Sequence, residues 1–210
     1  MRLYTQWRNS AGERVRIALH LKAIGYDYVA IPSLPPGEYR RLNPQGLMPA
    51  LQVGDRMFAQ STAILEYLEE THPLPALLPA DPIMRAEVRS FAQLITSDLH
   101  PLNNNRVRKY LAGSFGADPQ AVQRWYHHWL KTGLDALEAT LDRRAEPWPF
   151  CFGDRPGWAD LHLVPQLANA RRFDFDLADY PIMLGIDVRC RALDAFRRAR
   201  PEAQPDYPGE

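Results

Sequence analysis

Two short stretches of this chain place backbone polar groups where they can bind a ligand. They are Leu47-Met48-Pro49-Ala50-Leu51 and, nine residues on, Gln60-Ser61-Thr62-Ala63-Ile64. A proline opening an apolar strand cannot donate to a ladder, so Pro49 belongs at a strand start, an edge or a bend. A cis Met48-Pro49 bond, which only an X-Pro bond adopts at modest cost, would turn the Met48 N–H and C=O sideways, towards an extended peptide. Ser61 precedes the apolar run Ile64, Leu65, Tyr67 and Leu68. It reads as a helix N-cap, and the N–H groups behind it form a site suited to a carboxylate. Each piece alone is an ordinary strand entry or helix start. Their pairing is what suggests a holder for a peptide-like thiol with an acidic end.

Other residues could supply the chemistry. Ser10 falls at a turn from strand to helix, where it reads as an N-cap and where its hydroxyl and the unpaired N–H groups favour an anion such as a thiolate. Arg8 lies just before it, on the carboxyl side of the first strand, where open α/β sheets tend to receive ligands. His100-Pro101-Leu102-Asn103-Asn104-Asn105-Arg106 interrupts an otherwise helical run. Pro101 should bend that helix near residues 97–101, and three successive asparagines are poor helix formers. His100, Asn104 and Arg106 line this bend. Arg172 ends an apolar helix carrying Leu161, Leu163, Val164 and Leu167, with Arg171 as the alternative that points inward.

The elements that must position these residues follow from periodicity. Arg2 to Thr5 reads as a strand, Gly12 to Ala23 as a helix, and Tyr26 to Ile31 as a second strand parallel to the first. Tyr39 to Leu42 makes at most one turn, Ala50 to Val53 and Met57 to Ala59 form a hairpin, and Ser61 to Thr71 is a helix. The order β-α-β-α-β-β-α is that of a thioredoxin-like α/β domain. Four prolines from Pro73 to Pro82 mark a linker, after which strand signals give way to long amphipathic runs. Ile83 to about Leu111, Pro119 to Leu141, Ala159 to Arg171 and Ile186 to Arg198 read as helices. The expected domains are therefore residues 1–79 and an all-α domain, residues 84–210. Trp125, Trp129, Leu130, Leu134 and Leu137 have the spacing of core residues, and the tail from Pro201 reads as an extended strap.

Composition narrows the function class. Acidic and basic residues balance at 25 each, so no overall field draws nucleic acid or a membrane surface. The basic residues are 22 arginines and only three lysines (Lys22, Lys109, Lys131), a supply of bidentate carboxylate binders that fits an acidic substrate. Cys151 and Cys190 are too few and too far apart for a disulfide framework or metal site, which points to a reducing cytoplasm. No signal-peptide region or transmembrane run is visible.

The Met48-Pro49 and Gln60-Ser61 pair resembles the glutathione site of the glutathione transferase superfamily. Trp7-Arg8-Asn9-Ser10-Ala11-Gly12-Glu13-Arg14-Val15-Arg16-Ile17-Ala18-Leu19 with Asn43-Pro44-Gln45-Gly46-Leu47-Met48-Pro49 resembles its zeta class. Asp98-Leu99-His100-Pro101-Leu102-Asn103-Asn104 and Ala168-Asn169-Ala170-Arg171-Arg172-Phe173 resemble the pattern of maleylacetoacetate and maleylpyruvate isomerases. The resemblance implies a glutathione-dependent cis–trans isomerase in aromatic catabolism: a thiolate adds to a maleyl double bond, the bond rotates, and the thiolate leaves. It implies glutathione held by Met48, Pro49, Gln60, Ser61, His100 and Asn104, with Gln45 substituting for a polar residue lost from the short 32–42 segment. Ser10 would activate the thiol with Asn9 as a second donor, while Ala11 stands where the family carries cysteine. Arg8, Arg106 and Arg172 would hold a dicarboxylate substrate. A homodimer is implied, with no metal. The alternatives are a transferase or dehalogenase acting on α-haloacids, and a glutathione-binding protein without turnover. Gly157-Trp158-Ala159-Asp160 resembles the superfamily capping box with glycine at the cap.

Overall fold

The structure, a computed structural model, describes residues 1–209. The chain forms two compact units: Met1–Leu77 together with Arg191–Glu210, and Leu78–Cys190. In the first unit β1 (Arg2–Thr5), β2 (Asp27–Ala30), β3 (Ala50–Val53) and β4 (Arg56–Ala59) form one sheet in the order β2-β1-β3-β4. β1 runs parallel to β2 and antiparallel to β3, and β3 pairs antiparallel with β4. The parallel pair needs a crossover, and α1 (Ser10–Leu21) provides it; α2 (Glu38–Leu42) and α3 (Ser61–Thr71) complete the expected thioredoxin-like order. Leu3, Val15, Ile17, Leu19, Leu51, Ile64, Leu65 and Leu68 are wholly buried between sheet and helices. A buried ion pair closes this core: Lys22 Nζ lies 2.7 Å from Glu69 and also donates to the His72 and Pro75 carbonyls. Every polar atom at that ammonium has a partner, which is the condition for tolerating a buried charge.

The second unit is helical: α4 (Pro82–Gln93), a π-helical turn (Leu94–Leu99), α5 (Asn105–Phe115), α6 (Pro119–Asp142), α7 (Trp158–Arg172) and α8 (Pro181–Ala192). α6 approaches the π turn closely at Gly133, where an added Cβ would meet a Leu99 methyl at 2.4 Å. Leu130, Leu134 and Leu137 are fully buried as expected, together with Tyr126. Trp125 and Trp129 instead sit half-buried, edge to face at 5.7 Å. The capping box at α7 is present: Asp160 accepts from the Gly157 and Cys151 N–H groups at 2.8 and 2.9 Å. Burial pushes the Asp160 carboxyl up, and those backbone donors oppose the rise. Both cysteines are free and buried. Among the described residues no helix is long and apolar enough to cross a membrane.

Three expectations need correction. The last twenty residues belong with the thioredoxin-like unit, not with a domain spanning 84–210, because buried Arg16 in α1 donates to the Ala199 carbonyl at 2.9 Å. The helix read as Ile186 to Arg198 is two: α8 begins at Pro181, and α9 (Asp194–Ala199) restarts after Leu193 adopts extended backbone. The helix read as Ile83 to Leu111 does not bend but stops. His100 N–H pairs with the Ile95 carbonyl, five residues back, before Pro101 removes the next donor.

Candidate functional site

In the first unit the site is built largely from backbone geometry. After β1 the chain turns through Trp7 and Arg8, and Asn9 caps α1, its side-chain oxygen accepting from Gly12 N–H at 2.5 Å. Asn9, not Ser10, is thus the N-cap, and α1 starts two residues earlier than periodicity suggested. Ser10 becomes the first helical residue. Among the described residues its hydroxyl has no protein partner, leaving it available beside the positive end of the helix. Asn9, expected as a second donor at the thiol, has its side-chain oxygen engaged by the cap. Only glycine fits at position 12: an added Cβ would lie 2.1 Å from Thr5 Oγ1 and 2.7 Å from Asn9 Oδ1. One turn beyond Ser10, the Arg14 guanidinium is 1 % exposed. Burial lowers its pKa to about 10, partly offset by Glu13. It therefore stays cationic at neutral pH, with its Nε and Nη2 buried and, among the described residues, without a hydrogen-bond partner. Sequence reading missed Arg14, since an arginine in an amphipathic helix ordinarily reads as a solvated residue.

The second strand entry is equally well fixed. The Leu47 carbonyl accepts from Tyr39 Oη at 2.6 Å and from Asn43 Nδ2 at 2.7 Å. The Met48-Pro49 peptide that follows is cis, as expected, and leads into β3. Gln60 then turns the chain from β4 into α3 with φ +71° and ψ +118°. An L-residue pays about 1–3 kcal/mol for such backbone, which clusters at ligand clamps. Gln60 occupies the cap position but contributes no side-chain cap; its Nε2 donates instead to Gln45 Oε1 at 2.9 Å. Ser61, read as the N-cap, is the first helical residue and is buried. The first N–H groups of α3 are thus left uncapped, the arrangement that receives a carboxylate. Gln45 and Gln60 are thus joined side chain to side chain, with Ser61 next along the chain.

In the second unit the relevant features are side chains. The three asparagines divide their work: Asn103 is buried and donates to the Tyr126 carbonyl at 3.1 Å, Asn104 caps α5 by accepting from Arg106 N–H at 3.0 Å, and Asn105 accepts from Arg108 at 3.3 Å. Asn104, expected to contact glutathione, has its side-chain oxygen engaged at the start of α5. His100 lies at the exit from the π turn, half-buried. The guanidinium of Arg172 stacks 4.7 Å from the Phe173 ring, and that of Arg108 lies 4.3 Å from the same ring and 5.5 Å from Tyr126. Tyr126 and Phe173 are themselves in contact at 4.1 Å between centroids. Burial raises the Tyr126 phenol to about 12, with Arg172 and Arg108 both pulling the other way, and burial also lowers the Arg108 guanidinium. Two guanidinium groups thus lie within 5 Å of one ring centroid, and the planar fork of each suits a carboxylate.

Arg106 is not part of this cluster. It is exposed on the first turn of α5, and residues two apart point to different sides of a helix. Arg106 is the residue expected from the sequence; Arg108, two residues on, carries no local signal that would single it out. The choice at α7 is clearer: Arg171 pairs with the buried Asp187 carboxylate at 2.6 Å, leaving Arg172 to face Phe173.

Comparison with known proteins agrees with this geometry. Residues 6–76 match the glutathione S-transferase N-terminal domain family. The chain is 47 % identical to the maleylpyruvate isomerase of Ralstonia sp. over 98 % of this chain and 99 % of that protein. The holo structure of a maleylpyruvate isomerase, a bacterial zeta-class glutathione transferase, superimposes with a TM-score of 0.94 at 46 % identity, covering 98 % and 99 % of the two chains. The maleylacetoacetate isomerase of Methylobacterium extorquens AM1, solved with malonate and glutathione bound, gives a TM-score of 0.92 at 40 % identity over the full length of both chains. The chain belongs to the zeta class of the glutathione transferase superfamily.

Proposed function

We propose that the chain is a glutathione-dependent cis–trans isomerase that converts maleylpyruvate or maleylacetoacetate to the fumaryl isomer. The observation that carries this reading is the convergence of Arg108 and Arg172 on the Phe173 ring, a receptor for an acidic substrate in a chain whose other unit offers a thiol-activating turn. The residues present fit glutathione: the strained Gln60, its carboxamide bonded to Gln45, and the uncapped start of α3 suit the γ-glutamyl carboxylate, while the Met48 backbone suits the cysteinyl unit. Bound glutathione supplies the thiolate that adds reversibly to the maleyl double bond and so permits its rotation.

The chain's own groups do the rest. The Ser10 hydroxyl donates to the sulfur anion, and the N-terminus of α1 with buried Arg14 lowers the energy of that negative charge. Arg8, Arg108 and Arg172 bind carboxylates and take up the charge that develops on the conjugated carbonyl, where arginine's planar fork matches the acceptor. No oxidation or hydrolysis is involved, and the thiol is returned at each turnover. As part of the same reading, the enzyme is a cytoplasmic homodimer, consistent with its two buried free thiols; sedimentation equilibrium of the full chain tests the dimer.

The discriminating experiment incubates the protein with maleylpyruvate, maleylacetoacetate and dichloroacetate, each with and without glutathione, following absorbance and chloride. Formation of a fumaryl product only in the presence of glutathione supports the isomerase. Chloride release without isomerisation would assign the chain to dehalogenation, and silence with intact glutathione binding would leave a binding protein.

A further inference from the structure

The C-terminal tail reaches the segment that carries Arg8, all within the first unit. The Asp206 carboxylate accepts from the Trp7 backbone N–H at 3.1 Å and from Tyr28 Oη at 2.6 Å. The Tyr207 ring meets the Trp7 indole edge to face, with centroids 5.1 Å apart and planes at 76°. The Arg8 guanidinium lies 4.8 Å from the Trp7 ring. Arg16, fully buried, binds the same segment from beneath, donating to the Gln6 and Trp7 carbonyls at 3.4 and 3.2 Å while its Nε holds the Ala199 carbonyl. The tail is itself well anchored. The buried Gln204 side chain donates to the Arg198 and Arg200 carbonyls, both at 2.8 Å, and Tyr207 N–H returns to the Gln204 carbonyl.

The geometry points to Asp206 and Tyr207 as positioning residues for substrate recognition: the tail fixes Trp7, and Trp7 fixes the direction of the Arg8 guanidinium. A long arginine side chain on an exposed turn ordinarily samples many rotamers, and ordering it only on binding carries an entropic cost. Stacking on an indole removes part of that freedom beforehand. The indole in turn has two constraints from the tail: its own backbone N–H is held by a carboxylate, and its ring is held by an aromatic edge. Ser10 is fixed separately, by the Asn9 cap and the helix behind it, so the tail acts on Arg8 rather than on the thiol. This inference rests on the reading of Arg8 as a carboxylate ligand.

The test compares full-length Tyr207→Ala, Asp206→Asn and Tyr207→Phe with Arg8→Met, using maleylpyruvate and glutathione. Tyr207→Ala and Asp206→Asn are expected to raise the KM for maleylpyruvate about 3- to 10-fold while the glutathione dissociation constant stays within about twofold. Those figures correspond to about 0.6–1.4 kcal/mol, the range of a single cation–π or neutral hydrogen-bonding contact. Tyr207→Phe, which keeps the ring and loses the hydroxyl, is expected to restore the wild-type KM. A purely structural tail would instead lower the melting temperature and weaken glutathione and substrate together, overturning the inference. An unchanged KM in Tyr207→Ala, beside a raised KM in Arg8→Met, would also overturn it. An unchanged KM in Arg8→Met would remove the reading of Arg8 itself, and the tail's place in recognition with it.

Discussion

The thiol side and the carboxylate side of this enzyme are built by different means. Around Ser10, Met48 and Gln60 the Ser10 hydroxyl stands beside backbone N–H and C=O groups, and a cap, a cis peptide and a positive φ set the chain path. Around Phe173 they are guanidinium groups from α5 and α7, brought onto one ring by packing against Tyr126 of α6. Backbone devices need particular residues at adjacent positions, so they leave compact signatures such as Met48-Pro49 and Gln60-Ser61. Side chains that meet across helices need only a long cation somewhere on the right face. Such convergence leaves no local signature.

That contrast assigns distinct kinetic effects to the two regions. The largest is expected from Ser10→Ala, which removes the hydroxyl proposed to stabilise the thiolate: kcat should fall about 10²- to 10³-fold, the range for one preorganised donor. Glutathione affinity should change little, because its other contacts remain; isothermal titration beside steady-state kinetics measures both. Unchanged turnover would pass the role to the helix end and Arg14 alone.

Arg108→Met and Arg172→Met should act on the other side. Each removes one charge-assisted bond to a carboxylate, costing about 1.5–3 kcal/mol, or roughly 10- to 150-fold in kcat/KM. Glutathione binding should survive. Arg171→Met is the control. Its loss takes the 2.6 Å partner from the buried Asp187 carboxylate, and weakening the support of a buried charge should lower the melting temperature by several degrees with little change in KM. Activity loss in Arg171→Met alone would exchange the two roles.

Gln60→Gly tests whether backbone strain serves the ligand. Glycine accepts φ +71° freely, so the melting temperature should rise by a few degrees, while the lost bond to Gln45 weakens glutathione binding several-fold. A stability gain without an affinity loss would mean that the strained residue is unrelated to the site.

The smallest expected effect concerns pH. Burial, aided by Arg198 and Arg16, lowers the His20 imidazole to about 4, against an ordinary value near 6.5. Between these values the unfolded chain binds the proton more readily, so this residue's contribution to stability is lost as pH falls from about 6.5 towards 4. His20→Gln should therefore lose less melting temperature than wild type between pH 7.5 and pH 5. Equal losses would show that other groups set the acid limb.

Much of the fold was legible because hydrophobic period and punctuation agree with tertiary structure. β3 and α3 begin and end where the pattern put them. The errors lie where a neighbour overrides local preference. Asn9 took the cap from Ser10 because Gly12 lets the strand end and the cap approach closely. Arg191–Glu210 joined the first unit because buried Arg16 draws the Ala199 carbonyl to it, a long-range bond with no local trace. Arg108 near Phe173 is not visible in the sequence because helix phase alone cannot tell which side of α5 meets that ring. The motif matches point to the chemistry, while packing separates Arg108 from Arg106 and Arg172 from Arg171 by what each side chain touches.

Proton NMR of maleylpyruvate incubated with the enzyme and glutathione at about one-hundredth of the substrate concentration examines the proposed reaction with few assumptions. Complete conversion of the cis vinyl signals to trans, with all glutathione recovered as free thiol, is the expected result. Conversion that stops at one equivalent of glutathione, or that proceeds equally well without it, would contradict a reversible thiolate mechanism.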